Sequence, residues 1–578
     1  MRPGRVIFDP DPGSSYGLPV PDRELTPAHV LRRSAERFAD RRAIEFEDRW
    51  WTYRELWAEV ELYARALVAA GVHKGTRVAV LIGARPEYAF LVYATHLVGG
   101  VAVPISTFST AAEVAWILQH SDTALLVAHT AIRGRSVIAP LRAGDPDVFD
   151  SPVVDSARLP FLRRVVWLPN GTHAPEHVGA WNDFVVAGDG VSAAAVDARL
   201  DGVVPDDDSV ILYTSGSTAA PKAVLHTHRA PAIQGFRMAD CMAIGSDDVT
   251  FTSFPTFWSA GLVTALYAPL SVGACTVLQE TFEPDEALDL IEGAKVTSVR
   301  QMAHDELRLV AANEARPRDL RSVDVGVITP GLAALTSVPG GVTEICGFGM
   351  TETFTNFTML PFDSDLEIRR RTMGFPPLNS PMRISDPDTG ETLKPGEVGA
   401  VSVGGPLVCR GYYKQEPMLP LDELGYLRTG DTGYFDAEGR FVYTGRLDRI
   451  IKSGGFNVSP VEVEERLLAW GRLDTHVVLA VPHPTLGQAA VLCATRREGD
   501  DVTEAEILSY LREELASIKV PRWVVLMEQL PLTSSSKVVI PEARALAIAR
   551  MLDAPIDDAW KALLRAETGA DAKPRTGQ

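Results

Sequence analysis

From about Leu25 to Val310, short β-branched runs alternate with helical patterns: residues 77–82 (Arg-Val-Ala-Val-Leu-Ile), then 87–96, then 101–104 (Val-Ala-Val-Pro). Strands that alternate with crossover helices pair in parallel and are buried under those helices on both faces. This rhythm limits the chain to an α/β fold. The stretch from 134 to 159, with five prolines or glycines among scattered charges, is expected to be an exposed excursion between such units. Around 386–390 and 394–399 the pattern turns to short strands and tight turns, which predicts a β-rich subdomain. After Asp448 a smaller α+β unit is expected. Ser459-Pro-Val-Glu462 carries a capping box with proline at the first helical position, and Thr503-Glu-Ala-Glu506 repeats the box without it. The expected division is a large N-terminal domain over 1–447, a small domain over 448–550, and a C-terminal helix with a frayed tail over 551–578.

Residues 213–222, Tyr-Thr-Ser-Gly-Ser-Thr-Ala-Ala-Pro-Lys, follow the apolar run 210–212 directly. Short hydroxyls, a glycine and a lysine in a loop after a strand suit polyphosphate, because backbone N–H groups and hydroxyls can wrap its oxygens while the lysine supplies charge. The loop is not an ordinary P-loop, since Pro221 and Ala223 flank the lysine where that pattern has Gly and Ser or Thr.

Composition narrows the partners. The net charge is −19 and the hydrophobic fraction 46%, which provides for a core and argues against nucleic acid or an anionic membrane as the main partner. Phosphate recognition is local, so an acidic chain can still bind a polyphosphate. The five cysteines are widely spaced, without a C-x-x-C pair, and read as reduced buried thiols. No signal peptide and no long uncharged apolar run is present, which predicts a cytoplasmic protein without integral membrane association. A homodimer is compatible with this reading.

Four further segments follow in order: Gly347-Phe-Gly-Met-Thr-Glu-Thr353, Arg428-Thr-Gly-Asp431, Gly445-Arg-Leu-Asp448 continuing to Glu462, and Pro531-Leu-Thr-Ser-Ser-Ser-Lys537. Together with the phosphate loop they resemble the adenylate-forming superfamily, and most closely its bacterial fatty-acyl and aryl-CoA synthetases. The resemblance covers most of the chain. It implies ATP, Mg²⁺ and CoA, a carboxylic acid substrate, and a small domain that is mobile.

By this resemblance Thr214, Ser215, Gly216, Ser217, Thr218 and Lys222 hold the phosphates. Gly347, Phe348, Gly349 and Thr351 meet the nucleotide, and Glu352 holds the metal. Asp431 and Arg446 hold the ribose. Lys537 is the adenylating lysine, and with Lys222, Thr351 and Glu352 makes the expected catalytic set. Asp448 is the hinge, while Lys452, Gly454 and Gly455 line a pantetheine channel. The acyl pocket is expected from residues 254–261, 299–304, 328–331 and 353–357, with Phe257, Trp258, Gly261, Met302, His304, Gly331 and Phe354 as its candidate lining. These segments are aromatic and hold no carboxylate for an ammonium, which favours a hydrophobic acid, medium-chain or aryl.

The chain departs from the family at Ala219, Ala223 and Ser536, which stand where glycine is usual, and at Ile540, where arginine is common. Each lost glycine costs about 1 kcal/mol wherever the backbone needs positive φ. An amine or carrier-protein thiol therefore stays open as the acyl acceptor, as does another use of the adenylate. A catalytically inactive nucleotide-binding protein of the same fold is the alternative from another class. Gly13-Ser-Ser-Tyr-Gly17 matches a hydrolase elbow, but the prolines at 10, 12, 19 and 21 leave no room for the helix that an elbow requires.

Overall fold

The computed structural model describes residues 11–132, 134–149, 153–170, 181–214, 221–327, 329–338, 347–360, 364–449, 451–453, 456–515, 519–533 and 537–568. The chain forms two compact units, one of residues 1–382 with 403–427 and the other of residues 383–402 with 428–578.

Two sheets carry the first unit. In the seven-stranded sheet Gly411–Tyr412 stands at one edge, followed by Lys222–Thr227, Asp208–Thr214, Val101–Pro104, Arg77–Leu81, Leu125–His129 and Arg164–Leu168. The last five are joined in parallel, as the alternation predicts, with helix Pro86–Leu97 crossing between Arg77–Leu81 and Val101–Pro104. The strands at the Gly411 end turn antiparallel. A five-stranded sheet runs Ser298–Arg300, Val249–Thr252, Cys275–Leu278, Arg42–Phe46, Arg49–Thr52, all parallel except the final pair.

The stretch 134–159 is not an exposed excursion. It forms helices Ile138–Gly144 and Pro146–Phe149, and Ile138, Leu141, Val148, Phe149, Val154 and Leu159 join the core over the seven-stranded sheet. Phe149 packs against the buried Trp167. Six apolar side chains outweigh the local turn signals, because burying each is worth roughly 1.5–3 kcal/mol. No helix follows Gly13–Gly17 until the short turn Asp22–Glu24, which leaves the elbow without its support.

The second unit has two sheets of its own. Met382–Ser385, Gly399–Val403, Leu427–Phe435 and Phe441–Arg446 form the expected β-rich subdomain. The expected hinge position, Asp448, falls within this unit, in the turn Leu447–Arg449. Beyond it, Leu473–His483 pairs with Gly487–Arg496, which also pairs with Trp523–Met527, under helices Pro460–Trp470, Glu504–Glu514 and Ile540–Asp553. The box at Thr503 forms with both halves in place. The box at Ser459 does not: Ser459 Oγ donates to the Thr444 carbonyl, and Glu462 pairs with Lys519 Nζ at 2.6 Å. Tertiary partners have taken both side chains that the local motif would use.

Among the described residues no helix is long and apolar enough to cross a membrane. The four described cysteines, Cys241, Cys275, Cys409 and Cys493, are buried and free, while Cys346 lies outside the described residues.

Candidate functional site

Strands Asp208–Thr214 and Lys222–Thr227 form a hairpin in which Thr214 pairs with Lys222. The hairpin thus fixes both ends of the loop predicted to bind phosphate. Ser215, Gly216, Ser217 and Thr218 lie outside the described residues. Ala223 is buried in ordinary strand geometry opposite Tyr213, so the loss of glycine there carries no φ penalty. Ala219 and Ser536 lie outside the described residues.

The segment 347–357 is a tight turn bound to this hairpin. Gly349 and Met350 pair with Asn356 and Thr355, and a Cβ on Gly349 would stand 2.0 Å from the Thr355 carbonyl oxygen. Gly347 is equally enclosed, with the Thr358 carbonyl oxygen 2.6 Å from where its Cβ would be. Phe348 is buried, and its N–H donates to Thr358 Oγ1 at 3.1 Å. Thr351 and Glu352 occupy the 3-10 turn Thr351–Thr353.

Side chains of strand Lys222–Thr227 and helix Arg229–Cys241 hold this turn by its carbonyls. His226 Nε2 donates to Thr351 O at 2.7 Å; Gln234 Nε2 donates to Thr353 O at 3.1 Å and Asn356 O at 2.9 Å. Arg237 donates to Asn356 O at 3.2 Å and Phe357 O at 2.9 Å. Burial holds His226 neutral, with its pKa lowered to about 4, and lowers Arg237 to about 10. The neutral imidazole has one N–H, which serves this carbonyl, and the low value keeps its other nitrogen unprotonated.

Lys222 and Glu352 meet at a residue outside the sequence motifs. Tyr412 Oη donates to Glu352 Oε1 at 2.7 Å, and Lys222 Nζ lies 4.9 Å from the centre of the same ring. Nearby, Cys409 N–H donates to the Glu352 carbonyl at 2.7 Å. Burial, with the Glu352 charge beside it, pushes the Cys409 thiol up to about 12.

Of the pocket candidates, Phe257 is 8% exposed and Trp258 37%, and their rings meet edge to face at 5.9 Å. Phe108, which carried no motif, is 58% exposed and meets Phe257 edge to face at 5.7 Å. Gly261 closes the loop beneath them: its Cβ would stand 1.9 Å from Pro255 O. Phe354 does not line open space. It is fully buried at φ 60° and packs on His226 at 5.0 Å and Tyr267 at 6.1 Å. Met302 is half-buried at the N-cap of helix Ala303–Ala315, whose first turn holds His304, and a Cβ on Gly331 would stand 3.4 Å from Val310 Cγ2.

In the second unit Asp431 and Arg446 stand opposite each other on paired strands, with Arg446 Nη1 3.1 Å from Asp431 Oδ1. Asp431 is buried and Arg446 more exposed, which leaves a carboxylate held in place by a cation beside it. Lys537 is exposed and tied to Thr533, whose N–H donates to Lys537 O at 2.7 Å and whose Oγ1 accepts from Lys537 N–H at 3.1 Å. Lys452 lies on strand Ile451–Ser453, while Gly454 and Gly455 lie outside the described residues.

Among the described residues no group of three or more His, Cys, Asp or Glu side chains could cage a metal. The single buried carboxylate of Glu352 fits Mg²⁺ instead, which takes one or two carboxylates and completes its shell with phosphate oxygens and water.

The signature described as AMP-binding enzyme matches residues 31–413, and that of the AMP-binding enzyme C-terminal domain matches 462–537. The chain belongs to the AMP-binding enzyme family. It is 31% identical over 535 residues to a methyl-dioxo-octahydroindenyl-propanoyl:CoA ligase of Mycobacterium tuberculosis, covering 91% of this chain and 100% of that protein. A feruloyl-CoA synthase of Amycolatopsis is 28% identical over 85% of this chain and 93% of its own. In fold, this AMP-binding enzyme is similar to the anthranilate CoA ligase AuaEII crystallised with anthranoyl-AMP, with a TM-score of 0.74 at 23% identity, covering 92% of this chain and 99% of that one. It is an acyl-CoA synthetase-like ligase of the AMP-forming class.

Proposed function

We propose that this enzyme joins a hydrophobic carboxylic acid, medium-chain or aryl, to CoA through an acyl-adenylate. The observation that carries the proposal is the meeting of Lys222 and Glu352 on Tyr412 beside a loop of phosphate-binding composition.

The acid's carboxylate attacks the α-phosphorus of ATP and pyrophosphate leaves. Both reactants are anionic, so catalysis rests on fixed charge placed where charge grows. Lys222 faces the departing pyrophosphate, with the hydroxyls of Thr214, Thr218 and Thr351 as neutral donors. Glu352 would hold Mg²⁺, which when bound would neutralise charge on the phosphate oxygens. Asp431 accepts from the ribose hydroxyls, steadied by Arg446, and Lys537 approaches the carboxylate and α-phosphate. Rotation about Asp448 then withdraws Lys537 and admits CoA past Lys452, Gly454 and Gly455, and its thiol attacks the acyl carbon with release of AMP. The division into a large domain up to residue 447 and a mobile domain from 448 belongs to this proposal.

The edge-to-face rings of Phe108, Phe257 and Trp258 support the substrate class. So does the lack of any Asp or Glu in the four pocket segments, because a buried ammonium needs a partner. Two relatives, the indenyl-propanoyl and feruloyl ligases, are named for acids that carry a ring.

ATP–pyrophosphate exchange with octanoate, benzoate, a cinnamate and a set of α-amino acids tests the reading, followed by thioester formation on adding CoA. Exchange driven by the hydrophobic acids and completed by CoA is expected. Better exchange with amino acids would overturn the pocket assignment, and exchange without thioester formation would overturn CoA as acceptor. No exchange with any acid would overturn the enzyme reading.

A further inference from the structure

Tyr412 touches both the lysine and the glutamate of the proposed phosphate and metal site, and the fold leaves it little freedom. It sits on the edge strand Gly411–Tyr412, paired with Val224, so it shares a sheet face with Lys222 two residues away. Its N–H donates to Met418 O at 2.7 Å, and the side chain is buried beside Val224 and Cys409. Two interactions leave the same ring in different directions: the hydroxyl donates to Glu352 Oε1 at 2.7 Å, and the face receives Lys222 Nζ at 4.9 Å.

We infer that Tyr412 is a positioning residue that sets the metal-side carboxylate and the phosphate-side ammonium at a fixed separation before the nucleotide arrives. The inference rests on the roles proposed above for Glu352 and Lys222. By occupying Oε1, the hydroxyl directs the other oxygen, Oε2, to a cation, so Glu352 serves as a one-oxygen ligand. The ring face holds the ammonium by cation–π attraction, which grows where water is excluded. The two contacts use different parts of one side chain, so they can be removed separately.

The experiment measures binding of Mn²⁺, and separately of α,β-methylene-ATP, to the full-length protein by electron paramagnetic resonance and calorimetry. The proteins compared are wild type, Tyr412→Phe, Tyr412→Leu, Glu352→Gln and the Phe/Gln double variant, each checked for an unchanged melting temperature. Tyr412→Phe should weaken Mn²⁺ binding in the presence of the analogue about tenfold, the scale of one hydrogen bond to a charged group. It should leave metal-free binding of the analogue unchanged, because the ring remains. Tyr412→Leu should weaken the metal-free binding as well, by about threefold to fivefold. In the Glu352→Gln background, Tyr412→Phe should add nothing. Wild-type Mn²⁺ binding by Tyr412→Phe, alongside weakened binding by Glu352→Gln, would overturn the inference alone. Unaltered Mn²⁺ binding by Glu352→Gln would instead overturn the metal role beneath it.

Discussion

Glu352 and Lys537 differ in what surrounds them, and their variants should fail differently. Glu352 is buried and bonded to Tyr412. Glu352→Gln keeps the shape but offers a hard cation a neutral amide, so kcat/KM should fall about a hundredfold and the Mg²⁺ requirement should rise. An unchanged activity curve across a magnesium titration would exclude the assignment. The Lys537 side chain is exposed, so Lys537→Ala should fold normally. It should slow adenylation by about two to three orders of magnitude and leave transfer from preformed acyl-AMP far less affected. Equal losses in both steps, measured separately, would exclude its withdrawal between them. The short motifs at 213–222 and 347–353 made several candidate positions legible because their neighbours in sequence are also neighbours in space. Tyr412 was not legible: it reaches Glu352 across 60 positions of sequence, through the pairing of an edge strand that no local pattern announces. Phe354 misled for a related reason, since an aromatic residue beside a site reads the same whether it faces the substrate or the core.

Loops and caps carry the element-scale lessons. The loop bearing Phe257 and Trp258 folds back so tightly that a Cβ at Gly261 would meet the Pro255 carbonyl carbon and oxygen at 2.5 and 1.9 Å. Backbone cannot give way as a side-chain tip does, so Gly261→Ala should destabilise the protein by about 3 kcal/mol and raise the KM for the acid. Chemical denaturation and acid-dependent exchange would check the two effects. Helix Glu504–Glu514 depends on both halves of its capping box, and Thr503→Ala should cost about 1 kcal/mol. Ser459→Ala removes a bond to the Thr444 carbonyl instead of a cap, and therefore should leave the helicity of Pro460–Trp470 unchanged by circular dichroism. The parallel sheets were legible because a strand-and-helix rhythm has few packings. The segment 134–159 was not, because its turn residues are adjacent while its apolar ones find their partners only through the sheet.

At the scale of the whole molecule, buried titratable groups set its tolerance of acid. His96, His226 and His228 are fully buried. Burial, the largest cause for each, lowers His226 to about 4, His228 to about 3 and His96 well below its usual value. Their folded pKa values lie below the unfolded value of about 6.5, so the unfolded chain takes up more protons as pH falls. Their contribution is complete above about pH 6.5 and is lost as pH falls toward 4, by about 1 kcal/mol per pH unit for each histidine. Urea unfolding at pH 7, 6 and 5 should show the midpoint falling, and a constant midpoint would contradict the burial of these rings in neutral form. The same burial governs the thiols. Cys275, Cys409 and Cys493 are pushed up to about 12, and Cys241 is raised as well. At neutral pH a thiol with a pKa of 12 is ionised in only about one molecule in 10⁵, and the thiolate is the form that attacks an activated carbonyl. An acyl-adenylate is a mixed anhydride, reactive enough to acylate a protein that exposed an ionised cysteine to it. Among the described residues this chain offers it none, so those four buried thiols are shielded from acylation by the very intermediate proposed for this enzyme.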